Sequence, residues 1–320
     1  MKGALSFRRK LLDWYGCNAR NLPWRETRDP YRIWISEIML QQTRVAAVIP
    51  YYTRFLDRFP DVASLARASE EDLLTVWSGL GYYARARNLH RAAKEVAAQG
   101  AFPHEHESLR RLPGVGEYTA AAIASIAFGL PHAVVDGNVR RVLSRLACGA
   151  VEPAKLAGVL LDRERPGEFN QALMELGATL CLPREPQCAA CPVSSLCEAR
   201  RQGRQAEFPV RAPRPKTVRV ARTVVVAERR GCVLLGARAG YWELPEAEVL
   251  AGAAEGRKLG EFRHSITNHR YNVGVVEARV GRAPRGFHWV HERELDRVLL
   301  STMARKALAL WVRESPDRGH

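Results

Sequence analysis

Leu112-Pro113-Gly114-Val115-Gly116-Glu117-Tyr118-Thr119-Ala120-Ala121-Ala122-Ile123 reads as the end of a short helix, a glycine hairpin and a second helix beginning at about Glu117. Glycine permits positive φ and close backbone approach, so the amides at the start of that helix can face a phosphate. Such a contact holds DNA without reading its sequence. Taken alone, a Pro-Gly-x-Gly turn is also a common tight connection between helices, so its meaning depends on its neighbours.

Twenty residues past Gly116 comes Val134-Val135-Asp136-Gly137-Asn138-Val139-Arg140-Arg141-Val142-Leu143, with Asp136 where a helix would start. Far upstream, Ile33-Trp34-Ile35-Ser36-Glu37-Ile38-Met39-Leu40-Gln41-Gln42-Thr43 sets a single acid, Glu37, inside an apolar helix. Burial there raises a carboxyl pKa, as a general acid requires. Each acid also has a plain structural reading: Asp136 as a helix N-cap, Glu37 as partner to a buried arginine.

Cys181, Cys188, Cys191 and Cys197 stand at spacings of seven, three and six residues, with Pro183, Pro186 and Pro192 stiffening the turns between them. Four soft ligands in one loop suit a 4Fe-4S cluster. Zinc accepts four thiolates too, but usually from two short Cys pairs, and only one such pair occurs here. Cys17, Cys148 and Cys232 read as ordinary core residues.

The remainder of the 320 residues sets the frame. Lys plus Arg exceed Asp plus Glu by 49 to 34, a net charge of +15, which points to a polyanionic partner, nucleic acid first. No apolar run is long enough for a signal peptide or membrane span, and the cysteine usage suits a reducing compartment, so cytoplasmic residence is expected. Residues 1–200 follow helical periodicity in stretches such as 31–49, 62–76, 84–98, 117–128 and 168–180. Residues 201–217, basic and proline-rich, read as an extended linker. Residues 218–320 contain short valine-rich runs at 217–228, 231–237 and 271–280 before a helix at 302–313, an α+β domain.

Ser36–Thr43, Gly79–Leu89, Leu112–Ala120, Asp136–Leu143 and Phe169–Ala178 together resemble, in order, the signatures of the helix-hairpin-helix DNA glycosylase superfamily, specifically the MutY family of adenine glycosylases. The resemblance is dense over residues 5–200 and faint beyond. It implies a mainly α, two-lobed glycosylase domain with a catalytic cleft and a 4Fe-4S loop, followed by a smaller α+β domain similar to Nudix hydrolases. It implies that Glu37 protonates adenine at N7 while Asp136 stabilises the sugar cation, Tyr118 and Asn138 orienting it. The logic matches glycoside hydrolysis by two carboxyls. Related endonucleases place a Schiff-base lysine where this chain has Tyr118, so the resemblance implies a monofunctional enzyme that leaves an abasic site.

By the same resemblance Arg20, Leu22, Trp24, Arg25 and Gln171 form the adenine pocket, and Gln42 and Tyr82 are wedges that fill the gap left by an extruded base. The hairpin residues Leu112, Gly114, Val115 and Gly116, with Arg85 and Arg140, are expected to meet phosphate. Tyr241-Trp242-Glu243-Leu244-Pro245 looks like a Nudix-domain element, but no magnesium-binding helix is recognised, so the second domain is expected to read a lesion without chemistry. Ile266-Thr267-Asn268 falls in register with the family's Phe-Ser-His lesion loop, and this departure puts discrimination of 8-oxoguanine in doubt. The expected partner is double-stranded DNA carrying A:8-oxoguanine or A:G mispairs, bound by a monomer. Two alternatives are a thymine glycosylase acting on guanine–thymine mismatches and a non-catalytic, DNA-binding iron–sulfur protein.

Overall fold

The computed structural model describes residues 3–210, 216–238, 241–250, 256–266 and 268–314. The chain divides into two compact units, residues 1–212 and 213–320.

The first unit is helical. Its amino-terminal helix α1 spans Ala4–Asn18, and a 3-10 turn at Pro23–Arg25 leads to α2, Pro30–Leu40. Asp29 starts α2 by accepting from the Tyr31 amide at 2.8 Å, with Pro30 at the first helical position, where its missing N–H costs nothing. α2 is apolar on nearly every side, and Ile33, Trp34, Ile35, Ile38 and Met39 are all buried. Then follow α3 (Val45–Arg58), α4 (Val62–Arg67), α5 (Glu70–Trp77), α6 (Tyr83–Gln99), α7 (His106–Arg110) and α8 (Glu117–Phe128). The periodic stretch 31–49 is thus two helices, not one, because the chain turns at Gln42 in the left-handed region, φ +59°.

α9 (Gly137–Leu146), α10 (Pro153–Leu160) and α11 (Pro166–Thr179) pack with α1 around a second core built on Phe7, Leu11, Leu143, Phe169, Leu173 and Leu176. Cys181, Cys191 and Cys197 rest against this core. Two sets of helices, α2–α8 and α1 with α9–α11, meet where α8 crosses α11.

The start of the expected linker is not extended. Arg201 closes α12 (Glu198–Arg201), Gln205–Glu207 form a 3-10 turn, and the carbonyls of Gln205 and Phe208 accept from buried Arg145 at 2.9 and 3.2 Å. A guanidinium with five donors needs acceptors when buried, and this segment supplies two of them. Residues 211–215 lie outside the described residues.

The second unit holds two sheets. β1 (Val218–Val226) runs parallel to β6 (His269–Glu277), which pairs antiparallel with β5 (Arg257–Ile266). β3 (Cys232–Arg238) pairs antiparallel with β2 (Glu228–Arg229), β4 (Tyr241–Glu243) and β7 (Phe287–His291). Helix α13, Thr302–Arg313, packs Trp311 into the core with Val224, Val273 and Val275.

Candidate active site

α2, α8, α11 and the segment before α9 enclose a cavity of about 530 Å³, and Glu37, Tyr118, Asp136 and Asn138 all line it. Glu37 projects from α2 and is 5 % exposed. No arginine bonds to it, and its Oε2 has no hydrogen-bond partner among the described residues. Burial, opposed by the neighbouring Tyr118 hydroxyl and helped by the negative charge of Asp136, pushes its pKa up to about 7. A carboxyl stripped of water and left one oxygen short favours the neutral acid.

Asp136 is also raised by burial, but it has donors that Glu37 lacks. It is indeed the N-cap of α9, and its Oδ1 accepts from the Val139 amide at 2.6 Å while its Oδ2 accepts from Asn138 Nδ2 at 3.2 Å. Burial raises its pKa, but the amides of Val139 and Asn138, the Asn138 side chain and the Arg141 charge all act against that rise. The capping role and the site role therefore coincide, since the donors that end the helix also solvate an anion. Burial raises both carboxyls, but only Asp136 has hydrogen-bond donors at both oxygens to offset the rise.

Asn138 is itself fixed. Its Oδ1 accepts from Arg141 Nη2 at 2.9 Å, and Arg141 also donates to the carbonyls of Gly177 and Cys181, each at 2.7 Å. Gly177 on α11 sits so close that a Cβ there would lie 2.7 Å from the Asn138 Cβ. Tyr118 donates to Met174 Sδ at 3.4 Å, and burial, with the charges of Glu37 and Asp136, keeps its phenol protonated.

Arg20, Leu22, Trp24, Arg25 and Gln171 line the same cavity. Leu22 and Trp24 are buried, Trp24 standing edge-on to Tyr52, so Trp24 is both core and wall. Gln171 Oε1 accepts from Tyr15 at 3.3 Å. One charged lining residue was not anticipated: Glu175, fully buried, receives Arg20 Nε at 2.6 Å and Nη2 at 2.8 Å and Arg25 Nη2 at 2.8 Å. Burial works to raise its pKa, but the two guanidiniums prevail and hold it below the ordinary value. The signal was there, a lone acid in the apolar run Ala172-Leu173-Met174-Glu175-Leu176.

In the hairpin, Gly114 has φ +78°, and a Cβ there would lie 2.8 Å from Asn88 Cβ. Gly116 does not use that freedom: it is extended at φ −91° and serves as the N-cap of α8. Leu112 and Val115 are buried and anchor the turn, the Val115 amide donating to the Leu112 carbonyl at 3.1 Å. Gln42 and Tyr82 both adopt positive φ, +59° and +51°, and Tyr82 is 51 % exposed. Arg140 is exposed. Arg85 departs from the expectation of a phosphate contact: its guanidinium is turned inward onto the carbonyls of Ile38, Met39, Gln41 and Gly81.

The four cysteines of the 181–197 loop are all partly buried. Among the described residues no three His, Cys, Asp or Glu side chains are placed to hold a single metal ion. The surroundings nonetheless suit anionic sulfur, since Arg145 Nη1 lies 3.3 Å from Cys181 Sγ and Gln205 Nε2 lies 3.7 Å from Cys188 Sγ. Burial raises the Cys191 thiol, and the other three cysteines add to the rise, which places each of them within electrostatic reach of Cys191.

In the second unit, the turn joining β5 to β6 carries Ile266, 47 % exposed, and Asn268, whose Nδ2 donates to the Lys216 carbonyl at 3.2 Å. Thr267 lies outside the described residues. Trp242 and Glu243 belong to β4, and Leu244 is buried.

Residues 35–156 match the family of HhH-GPD superfamily base excision DNA repair proteins. The adenine DNA glycosylase of Homo sapiens is 34% identical over 97% of this chain and 75% of its own length, and that of Mus musculus 35% identical over 96% and 78%. Among solved structures, a thermostable thymine-DNA glycosylase superposes with TM-score 0.59 at 31% identity, covering 63% of this chain and 98% of that one. An endonuclease III–DNA complex gives TM-score 0.54 at 23% identity, over 62% and 97%, a likeness of fold. The chain belongs to the adenine DNA glycosylase family, within the HhH-GPD superfamily of base excision DNA repair proteins.

Proposed function

We propose that this chain hydrolyses the N-glycosidic bond of adenine mispaired with 8-oxoguanine or guanine in double-stranded DNA, as a monofunctional glycosylase. The observation that carries the reading is the pairing, in one cavity, of Glu37, pushed to about 7 by burial, with Asp136, whose two oxygens both accept hydrogen bonds. Adenine departs readily only once protonated. Glu37 supplies that proton, and Asp136 faces the positive charge that develops on the sugar as the bond breaks. Water then completes the hydrolysis at the sugar carbon. Leu22 and Trp24 give the extruded base apolar walls, while Arg20, Arg25 and Gln171 offer polar edges. Tyr118, held protonated, offers no amine to attack the sugar, so the strand stays intact at an abasic site.

Adenine rather than thymine is favoured by the extent of the likeness to the adenine enzymes, which runs through the second unit. We assign the check on the opposite base to the segment Ile266-Thr267-Asn268. Gly114 and Gly116 offer backbone amides to phosphate on a turn anchored by Leu112 and Val115, exposed Arg140 offers a further phosphate contact, and Gln42 and Tyr82 fill the duplex where the base leaves. Cys181, Cys188, Cys191 and Cys197 would hold a 4Fe-4S cluster, for which the donor set and the neighbouring Arg145 and Gln205 are suited. When bound, that group ties residues 181–197 into one loop and supplies no reacting atom. We place the protein in the cytoplasm as a monomer; no described helix is long and apolar enough to cross a membrane.

The test is incubation with duplexes carrying adenine opposite 8-oxoguanine, adenine opposite guanine, and thymine opposite guanine, before and after alkali. Adenine release from the first two, with cleavage only after alkali, is expected. Thymine release, or strand breakage without alkali, overturns the reading.

A further inference from the structure

One loop that lines the cavity, Gln41–Thr43, and a second loop ending at Tyr82 both hold a non-glycine residue in the left-handed region. Gln42 follows α2 at φ +59°, and Tyr82 precedes α6 at φ +51°. Such a conformation is strained for an L-residue and persists only when its surroundings dictate it. Neither side chain caps a helix to offset this, since Tyr82, the N-cap of α6, makes no side-chain capping bond. Both are instead presented outward, Gln42 exposed and Tyr82 51 % exposed.

A single side chain joins the two loops. From the first turn of α6, Arg85 Nη1 donates to the carbonyls of Ile38 and Met39, each at 3.0 Å, and to that of Gln41. Its Nη2 reaches Thr43 Oγ1 at 3.4 Å and the Gly81 carbonyl at 3.3 Å. The guanidinium lies 5.1 Å from the Tyr82 ring centroid and 5.7 Å from that of Trp77, and Trp77 Nε1 also donates to Gly81 at 3.0 Å. The acceptors on α2 are the last-turn carbonyls of a helix, where a cation is favoured. No carboxylate pairs with Arg85 among the described residues, so the cation is matched to backbone carbonyls, the Thr43 hydroxyl and ring faces. Lysine, with three donors on one point, cannot span this fan.

We infer that Arg85 is the positioning residue that locks Gln42 and Tyr82 together as one preformed wedge for base extrusion, rather than a contact to DNA. The inference rests on the glycosylase reading of the cavity. The loops are held in their strained shape before DNA arrives, so insertion orders little that was free. With the staple gone, the Gln41–Thr43 turn and the Gly81–Tyr82 turn relax independently, and extrusion of a paired base slows while the chemistry on an unpaired one does not.

The test compares Arg85→Lys and Arg85→Met with the unaltered full-length chain. Stopped-flow fluorescence of 2-aminopurine placed opposite 8-oxoguanine reports unstacking. Both variants are expected to slow that signal, and excision of paired adenine, about 10- to 100-fold, the cost of a misplaced positioning group. Adenine already unpaired in a bulge is expected to be excised at the unaltered rate, and the slope of log affinity against log salt is expected to stay unchanged. If Arg85 were a phosphate contact, the slope would fall by about one in Arg85→Met and be restored in Arg85→Lys; that result overturns the inference. So does unaltered unstacking, or an equal loss on paired and bulged adenine, which marks general damage. Should Arg85→Met fail to fold, Arg85→Lys carries every arm of the test. An unaltered chain that excises no adenine defeats the glycosylase reading instead, while the unstacking arm still judges the staple.

Discussion

Replacing Glu37 by Gln keeps the size and shape of the side chain and removes its ability to give up a proton. At the ordinary value of 4.5 a carboxyl is only about 0.3 % protonated at pH 7, whereas one at about 7 is half protonated, a gain of roughly 150-fold in available acid. Loss of a general acid typically lowers the rate by about 10²–10⁴, or about 3–5 kcal/mol of barrier. The same burial has an opposite effect on stability. The folded chain holds this proton more tightly than the unfolded chain, so Glu37's contribution is intact at low pH and is lost as pH rises from 4.5 to about 7. The cost of ionising it in place reaches about 3 kcal/mol above that window. Glu37→Gln has no proton to lose. Denaturant unfolding at pH 5 and pH 8 is therefore expected to show the variant gaining up to about 3 kcal/mol on the parent at the higher pH only, while single-turnover excision collapses at both. A variant that excises adenine at the parental rate, or that gains nothing at pH 8, refutes the assignment of Glu37 as a buried neutral acid.

Asp136→Asn retains an N-cap residue of comparable strength, so thermal melting is expected to move little while adenine release is lost; a large fall in stability with proportionate activity would reduce Asp136 to a cap. Glu175→Ala leaves two guanidiniums facing an empty pocket wall, and chemical denaturation is expected to report a loss of about 3 kcal/mol, with adenine release impaired through Arg20 and Arg25. Gly177→Ala forces a Cβ against Asn138, which is expected to cost about 1–3 kcal/mol and to slow excision by shifting Asp136; unchanged kinetics would show the start of α9 to be less constrained than argued.

Much of the helical unit was legible because local chemistry and global packing agree there. The Leu112–Gly116 turn lies between two helices as read, and α8 opens at Glu117. The break after α2 was not legible, since apolar spacing runs on through Val45, Val48 and Ile49, and the left-handed residue is Gln42, which carries no Gly or Pro signal. Arg85 illustrates the limit for charged side chains: composition makes an arginine look like a phosphate ligand, and only tertiary geometry reveals five acceptors around it. Arg141 and Arg145 are alike in this, buried on a helix whose sequence alone suggests a solvated basic face. Strand β5 escaped notice because exposed Arg257, Lys258, Glu261 and Arg263 outnumber its inward-facing Leu259 and Phe262.

The central claim is that the cavity holds Glu37 as a buried acid titrating near neutrality, beside an Asp136 whose two oxygens both accept hydrogen bonds. Carbon-13 NMR titration of the Glu37 carboxyl, assigned by its disappearance in Glu37→Gln, measures this directly. The account predicts a midpoint near 7 in the intact chain and a lower one in Asp136→Asn, where a neighbouring negative charge is gone. A midpoint at the ordinary 4.5, unmoved by Asp136→Asn, contradicts it.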